Sequence, residues 1–159
     1  MTGPVGFGVI GVGTWGELHA RVYHTTPGAR LAAVCDTDLR RAQSVAAACG
    51  GATAYSDFRE LLDDPSVSAV SIVLPDYLHG EAAVHALRRG KHVLVEKPLA
   101  TSEEEAIRII EATRETGAAL MVDFHNRWSP MFCALSDALR RNDLGRLRYV
   151  YYRLNDTIY

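Results

Sequence analysis

Short apolar runs alternate with longer amphipathic stretches along most of the chain. Val5–Ile10, Ala29–Cys35, Ala52–Tyr55, Val67–Leu74, His92–Val95 and Ala119–Phe124 read as strands. Val67–Leu74 is almost continuously apolar, the pattern of a strand buried on both faces. Between these runs, Thr14–Thr25, Leu39–Cys49, Leu78–Arg89 and a long stretch opening at Thr101 carry helical periodicity. Their ends are punctuated by Pro27-Gly28, Gly50-Gly51, Gly90 and Gly117. Ser56 or Asp57 caps a short helix, with Glu60 placed for a capping box. Thr101 and Glu104 have the same spacing. A further helix starts at Ser129-Pro130 and runs to about Asn142.

Strict strand–helix alternation predicts a parallel sheet wound on both faces with right-handed crossovers. The pattern changes after Asn142–Gly145. There Arg146, Arg148 and Arg153 interleave with Leu147, Tyr149 and Tyr151, as in a half-exposed antiparallel strand. Such a strand needs partners for its edges. Arg146–Tyr159 is therefore expected to begin a second domain, of which the chain carries only the first strand.

The loop after the first strand is Gly11-Val12-Gly13-Thr14-Trp15-Gly16, and Asp36 closes the second strand. A first glycine permits a tight turn, a second lets backbone approach a pyrophosphate, and a third lets helix pack on strand. Gly11, Gly13, Thr14, Trp15 and Gly16 are thus expected to cradle phosphates at a helix N-terminus. Asp36 is placed to accept from a ribose 2′-hydroxyl and to repel a 2′-phosphate, which predicts NAD in preference to NADP. Together these features make a Rossmann-type dinucleotide fold the expected architecture. The competing reading is a strand–turn–helix without ligand, in which Asp36 is a surface cap.

Ligands in such folds bind beyond the carboxyl ends of the strands. Those ends carry Asp36 and Thr37; Leu74, Pro75, Tyr77 and then His79; Glu96, Lys97 and Pro98; and His125 with Arg127. Lys97 is the main catalytic candidate, since an ammonium at the rim can polarise a substrate oxygen. Partial burial would tune it for proton transfer. The alternative is a Glu96–Lys97 surface pair before a turn proline. His79 contacts cofactor or substrate, caps its helix, or is simply exposed. His125 and Arg127 suit an anionic or polyhydroxy substrate, or anchor the next helix.

Composition narrows the picture further. The net charge of −2 and the scattered arginine pairs give no reason to expect binding to nucleic acid or anionic membrane. Cys35, Cys49 and Cys133 are odd in number and lack CxxC spacing, so buried thiols in a reducing compartment are expected. His19, His24, His85 and His92 have no partners at metal-ligand spacing and read as structural or surface residues, so no metal is predicted. No leader or membrane span is visible at the N-terminus, which makes the cytoplasm the expected location.

Taken together, the chain resembles the Gfo/Idh/MocA oxidoreductase family, the glucose–fructose oxidoreductase and inositol dehydrogenase group. The likeness is carried by Gly11–Gly16, Val34-Cys35-Asp36, Leu74–His79, Gly90–Pro98 and Phe124–Pro130. Gly90–Pro98 is the most specific block, because a generic dinucleotide domain has no reason to place Glu-Lys-Pro after its fifth strand. The resemblance implies hydride transfer between NAD(P) and a sugar, inositol or related polyol. It implies that Lys97 lies in the active site, that Pro98 shapes the nicotinamide pocket, and that the full-length form is a homo-oligomer. It further implies an NAD(P)-binding domain over residues 1–125. A connecting helix and the start of a C-terminal substrate and oligomerisation domain would occupy 126–159. Leu74 departs from the smaller residue usual before the proline. The family's C-terminal Asp and His have no counterpart here, so this chain alone is expected to bind nucleotide without full catalysis. The alternative is a stand-alone, non-catalytic NAD-binding or redox-sensing module.

Overall fold

A computed structural model describes residues 3–153. The chain divides into two compact units, Met1–Asp123 and Phe124–Tyr159.

The first unit is built on six parallel strands in the order β3-β2-β1-β4-β5-β6. In chain order these are β1 (Val5–Ile10), β2 (Ala29–Cys35), β3 (Thr53–Tyr55), β4 (Ala69–Ile72), β5 (His92–Glu96) and β6 (Leu120–Asp123). Five helices of this unit connect them: α1 (Thr14–Thr25), α2 (Leu39–Ala48), α3 (Phe58–Asp63), α4 (His79–Arg88) and α5 (Glu103–Thr116). The strand order reverses direction at β1, with β2 and β3 on one side and β4 to β6 on the other. A parallel sheet needs cover on both faces, and alternate residues of each strand supply it. Ile10, Val70, Ile72, Val93 and Val95 pack with Leu61, Leu87 and Ile109 on one face. Val9, Leu31 and Val34 pack with Ala20, Ala42 and Val45 on the other. All four residues of β4 are buried, as its apolar run predicts.

Capping chemistry sets several helix starts. Asp38 and Asp57 accept backbone N–H groups at the beginnings of α2 and α3. The capping box of α5 lies one residue later than the Thr101/Glu104 spacing suggests. Ser102 Oγ accepts from Glu105 N–H, and Glu105 reaches back to accept from Thr101 N–H. The helix expected from Leu78 is preceded by a 3-10 turn over Asp76–Leu78, because Pro75 holds an extended backbone just before it.

The turn between β1 and α1 is shaped by two glycines. Gly11 has a positive φ of 86°, and a Cβ there would run into the Val73 carbonyl. A Cβ on Gly16 would overlap the Gly11 carbonyl, so α1 seats its backbone directly on the turn that feeds it.

In the second unit a 3-10 turn over His125–Trp128 leads into α6 (Pro130–Arg140). Ser129 caps α6 by accepting from Phe132 N–H at 3.5 Å, and Pro130 holds the first helical position. The antiparallel strand expected over Arg146–Arg153 does not form: residues 146–153 have no ladder and are exposed. Unpaired strand edges leave a row of backbone groups that only a neighbouring strand satisfies, and the described residues supply none here. The remainder of that expectation, Leu154–Tyr159, lies outside the described residues.

Two substitutions test this account. Ile72→Ala, in the centre of the sheet and fully buried, is expected to cost about 2–5 kcal/mol by urea unfolding. Gly16→Ala is expected to cost about 1–3 kcal/mol, because a methyl group must displace backbone rather than a side chain. A Gly16→Ala protein as stable as wild type would refute the direct seating of α1 on its turn.

Candidate active site

The strand ends place the predicted rim residues along one edge of the sheet in the order β2, β1, β4, β5. At β2, Asp36 is built into the loop. Its Oδ2 accepts from Val12 N–H at 3.1 Å and its Oδ1 from Asp38 N–H at 3.0 Å. Arg41 on α2 brings a guanidinium nitrogen to 3.4 Å from Oδ2. Asp36 is thus a fixed carboxylate that also braces the glycine loop, and it is more than a surface cap. Thr37 follows it and is exposed.

At β1, Gly13 caps α1 without any side-chain hydrogen bond. Gly13 needs no glycine for its own backbone, with φ at −66°. A Cβ there would meet no protein atom within 4 Å. Protein packing therefore does not account for this glycine, and the space beside it is open to close approach by a ligand. The positive end of the α1 dipole lies at the same place. Thr14 and Trp15 are exposed beside it, Trp15 at 60%.

At β4, Leu74 is half-buried and Pro75 and Tyr77 are exposed. His79 is not an exposed rim residue. It is 1% exposed, with Nδ1 at 2.7 Å from the Pro98 carbonyl and Nε2 at 2.9 Å from the Leu74 carbonyl. Its ring lies behind the rim and spans two of its loops. At β5, Lys97 and Pro98 are exposed, and the bond between them is cis. The partial burial anticipated for Lys97 is absent: it follows the last residue of β5 and is exposed. The Glu96 carboxylate accepts from the Lys97 backbone N–H at 3.1 Å and faces His19 at 3.5 Å.

His19 is the residue that sequence reasoning missed. It stands on α1 with Nε2 at 3.5 Å from Glu96 and 3.7 Å from Asp123, and Nδ1 at 3.2 Å from Ser71 Oγ. Tyr23, one turn further along α1, contacts the same hydroxyl at 2.6 Å. Burial raises the Tyr23 pKa, the Ser71 bond opposes the rise, and the Asp123 charge adds to it. The ligand atoms of His19, Glu96 and Asp123 lie within 4.8 Å of one another, so His19, read from sequence as a histidine without such partners, has two carboxylates beside it in the fold. Contacts between residues so far apart in sequence leave no spacing signature. A helix-periodic His facing a buried strand serine is the only hint.

Cys35 is buried, and its thiol is pushed up to about 12 by that burial first and then by Asp57, Asp36 and Glu60. It is therefore protonated and inert at neutral pH. His125 and Arg127 lie in the second unit and are exposed there, with the Arg127 guanidinium 5.5 Å from the centre of the Phe124 ring. Among the described residues, no helix is long and apolar enough to cross a membrane.

Comparison with known proteins agrees with this geometry. Residues 5–124 match the model of an oxidoreductase family with an NAD-binding Rossmann fold. Inositol 2-dehydrogenase 2 of Saccharopolyspora erythraea is 42% identical over 141 residues, covering 87% of this chain and 42% of that protein. The scyllo-inositol 2-dehydrogenase (NAD(+)) of Bacillus subtilis is 40% identical over 147 residues, covering 91% and 42%. The crystal structure of myo-inositol dehydrogenase from Lactobacillus casei, in complex with NAD(H) and myo-inositol, superposes with a TM-score of 0.83 at 32% identity. It covers 89% of this chain and 43% of that one. The chain thus spans about two-fifths of the length of the relatives it matches. By its six-stranded sheet, its glycine turn and the match over residues 5–124, the chain belongs to the Gfo/Idh/MocA oxidoreductase family.

Proposed function

We propose that this chain is the NAD(H)-binding part of a polyol dehydrogenase acting on an inositol or related sugar alcohol. The observation that carries the reading is the order of groups along the sheet rim. A carboxylate stands at β2, an uncapped helix N-terminus with a bare glycine at β1, and a cation at β5. That order is the order of ribose, pyrophosphate and reacting end in a dinucleotide laid across the strand ends. The inositol dehydrogenases among its relatives supply the substrate class.

In this reading Asp36, with Thr37 beside it, receives the adenosine ribose. Gly11, Gly13, Thr14, Trp15 and Gly16 receive the pyrophosphate. Leu74, Pro75, Tyr77, Glu96, Lys97 and Pro98 form the pocket for the nicotinamide half, with His79 behind them. The bound dinucleotide supplies a hydride acceptor or donor. Lys97 offers an ammonium to the substrate oxygen, donating hydrogen bonds and offsetting the negative charge that grows there as the carbon–hydrogen bond changes hands. Its exposure leaves room for a polyol. His125 and Arg127 are further candidates for polyol hydroxyls. The fixed Asp36 carboxylate favours NAD over NADP, because a 2′-phosphate would meet like charge. A cytoplasmic location and a homo-oligomeric full-length form accompany the reading.

Titration calorimetry of the purified chain with NADH and NADPH tests the cofactor assignment. Asp36→Ala is expected to weaken NADH binding about tenfold, the scale of one charge-assisted hydrogen bond. It should also narrow the gap to NADPH. Equal losses for both cofactors would instead mean that only the loop was damaged. Lys97→Ala is expected to leave NADH affinity of the purified chain within about threefold, while in a full-length parent it lowers inositol-dependent NADH formation by about a hundredfold or more. Unchanged turnover would remove Lys97 from the reaction.

A further inference from the structure

Resting on the cofactor reading above, we propose that His79 is a positioning residue for the nicotinamide half of the site. Its imidazole ties the loop after β4 to the loop after β5, and so sets the spacing between Leu74-Pro75 and Lys97-Pro98. The ring stands between these loops, with the Pro98 carbonyl at 2.7 Å from Nδ1 and the Leu74 carbonyl at 2.9 Å from Nε2. Both distances are those of good hydrogen bonds, and both partners only accept. Which ring nitrogen donates depends on the tautomer, and in either the ring stands within hydrogen-bond distance of both loops.

The surroundings allow the ring little freedom. His79 is 1% exposed and opens α4 directly after the 3-10 turn. The next residue, Gly80, is buried, and a Cβ on it would strike the Glu105 side chain. Glu105 is itself held at the start of α5, accepting from Thr101 N–H at 3.1 Å. The first turn of α4 is thus pressed against α5 on one side while its histidine holds the rim loops on the other. Neither loop has strand pairing of its own, because β4 ends at Ile72 and β5 at Glu96. The adenosine side of the site lies across β1 and is braced separately, by Asp36 on Val12 N–H. Loss of the His79 link should therefore disturb one half of the dinucleotide site and spare the other.

The test compares NADH with ADP-ribose, which lacks the nicotinamide, on wild type, His79→Leu and His79→Gln. His79→Leu keeps an apolar volume but donates nothing, whereas the glutamine amide retains a donor. Wild type is expected to bind both ligands. His79→Leu should lose roughly tenfold in NADH affinity, the scale of one or two buried hydrogen bonds. Its ADP-ribose affinity should stay within about twofold, and His79→Gln should recover part of the loss. Parallel losses for both ligands, or an unchanged NADH affinity, overturn the positioning role. If wild type binds neither ligand, the cofactor reading fails, and hydrogen exchange of the free proteins still decides the link. In His79→Leu, protection should fall together at Leu74–Leu78 and Lys97–Ala100 while that of β1 and β2 is retained. Unchanged exchange in either loop overturns it.

Discussion

The contact on which this architecture depends is between two pieces of backbone. Helix α1 rests on the Gly11 carbonyl through Gly16, a position where any side chain would collide with it. Because the helix starts so close to the end of β1, its unsatisfied amides and its dipole are delivered to the sheet edge at the strand where the winding reverses. A helix set further out would carry the same dipole but could not share a rim with the ends of β2, β4 and β5. The Gly11 turn is in turn fixed from outside. Its N–H donates to the Cys35 carbonyl at 2.8 Å, and Asp36 holds the next amide. One carboxylate thereby stands in both the loop's structure and the candidate ribose site, so a substitution there cannot be read from one ligand alone.

A second constraint runs under α1. Ser71 is a fully buried polar residue in the middle strand β4, and a buried hydroxyl without partners costs on the order of 1–3 kcal/mol. Tyr23 and His19 both reach it from the helix, which satisfies the hydroxyl and sets the rotation of α1 over the sheet. With Nδ1 turned to Ser71, the other ring nitrogen of His19 is left facing Glu96 and Asp123. The imidazole stands between two part-buried carboxylates that repel each other, and keeps one polar group of α1 facing both. The same helix that presents the glycine loop thus also steadies the end of β5, one residue before Lys97.

Legibility in the sequence followed from how local each determinant is. The strands, the parallel winding and the boundaries of β1, α1 and β2 come from short-range periodicity, and the structure reproduces them. Gly11 and Gly16 were readable because one needs a positive φ and the other lies against backbone five residues earlier; for Gly13 the protein itself makes no such demand. The shift of the α5 box from Thr101/Glu104 to Ser102/Glu105 shows the limit of spacing arguments: two overlapping boxes have the same letters, and tertiary packing against Gly80 chooses between them. The alternation over Arg146–Arg153 also has strand letters, but a ladder is a property of two strands, and the described residues provide only one.

The histidines make the same argument at the level of function. From sequence, His19 was indistinguishable in kind from His24 or His92, and His79 was set apart only by its place at the rim of the sheet. The fold gives them opposite tasks. His19 has two carboxylates on one ring nitrogen, a charged environment that no sequence spacing encodes. His79 has a carbonyl on each nitrogen, a neutral environment that converts an imidazole into a link between loops. Both sit one layer behind the candidate site, where they meet the residues next to Lys97 from either side: Glu96 before it and Pro98 after it. The position of the candidate catalytic ammonium is therefore set less by its own contacts, since its side chain is exposed, than by how firmly these two neighbours are held.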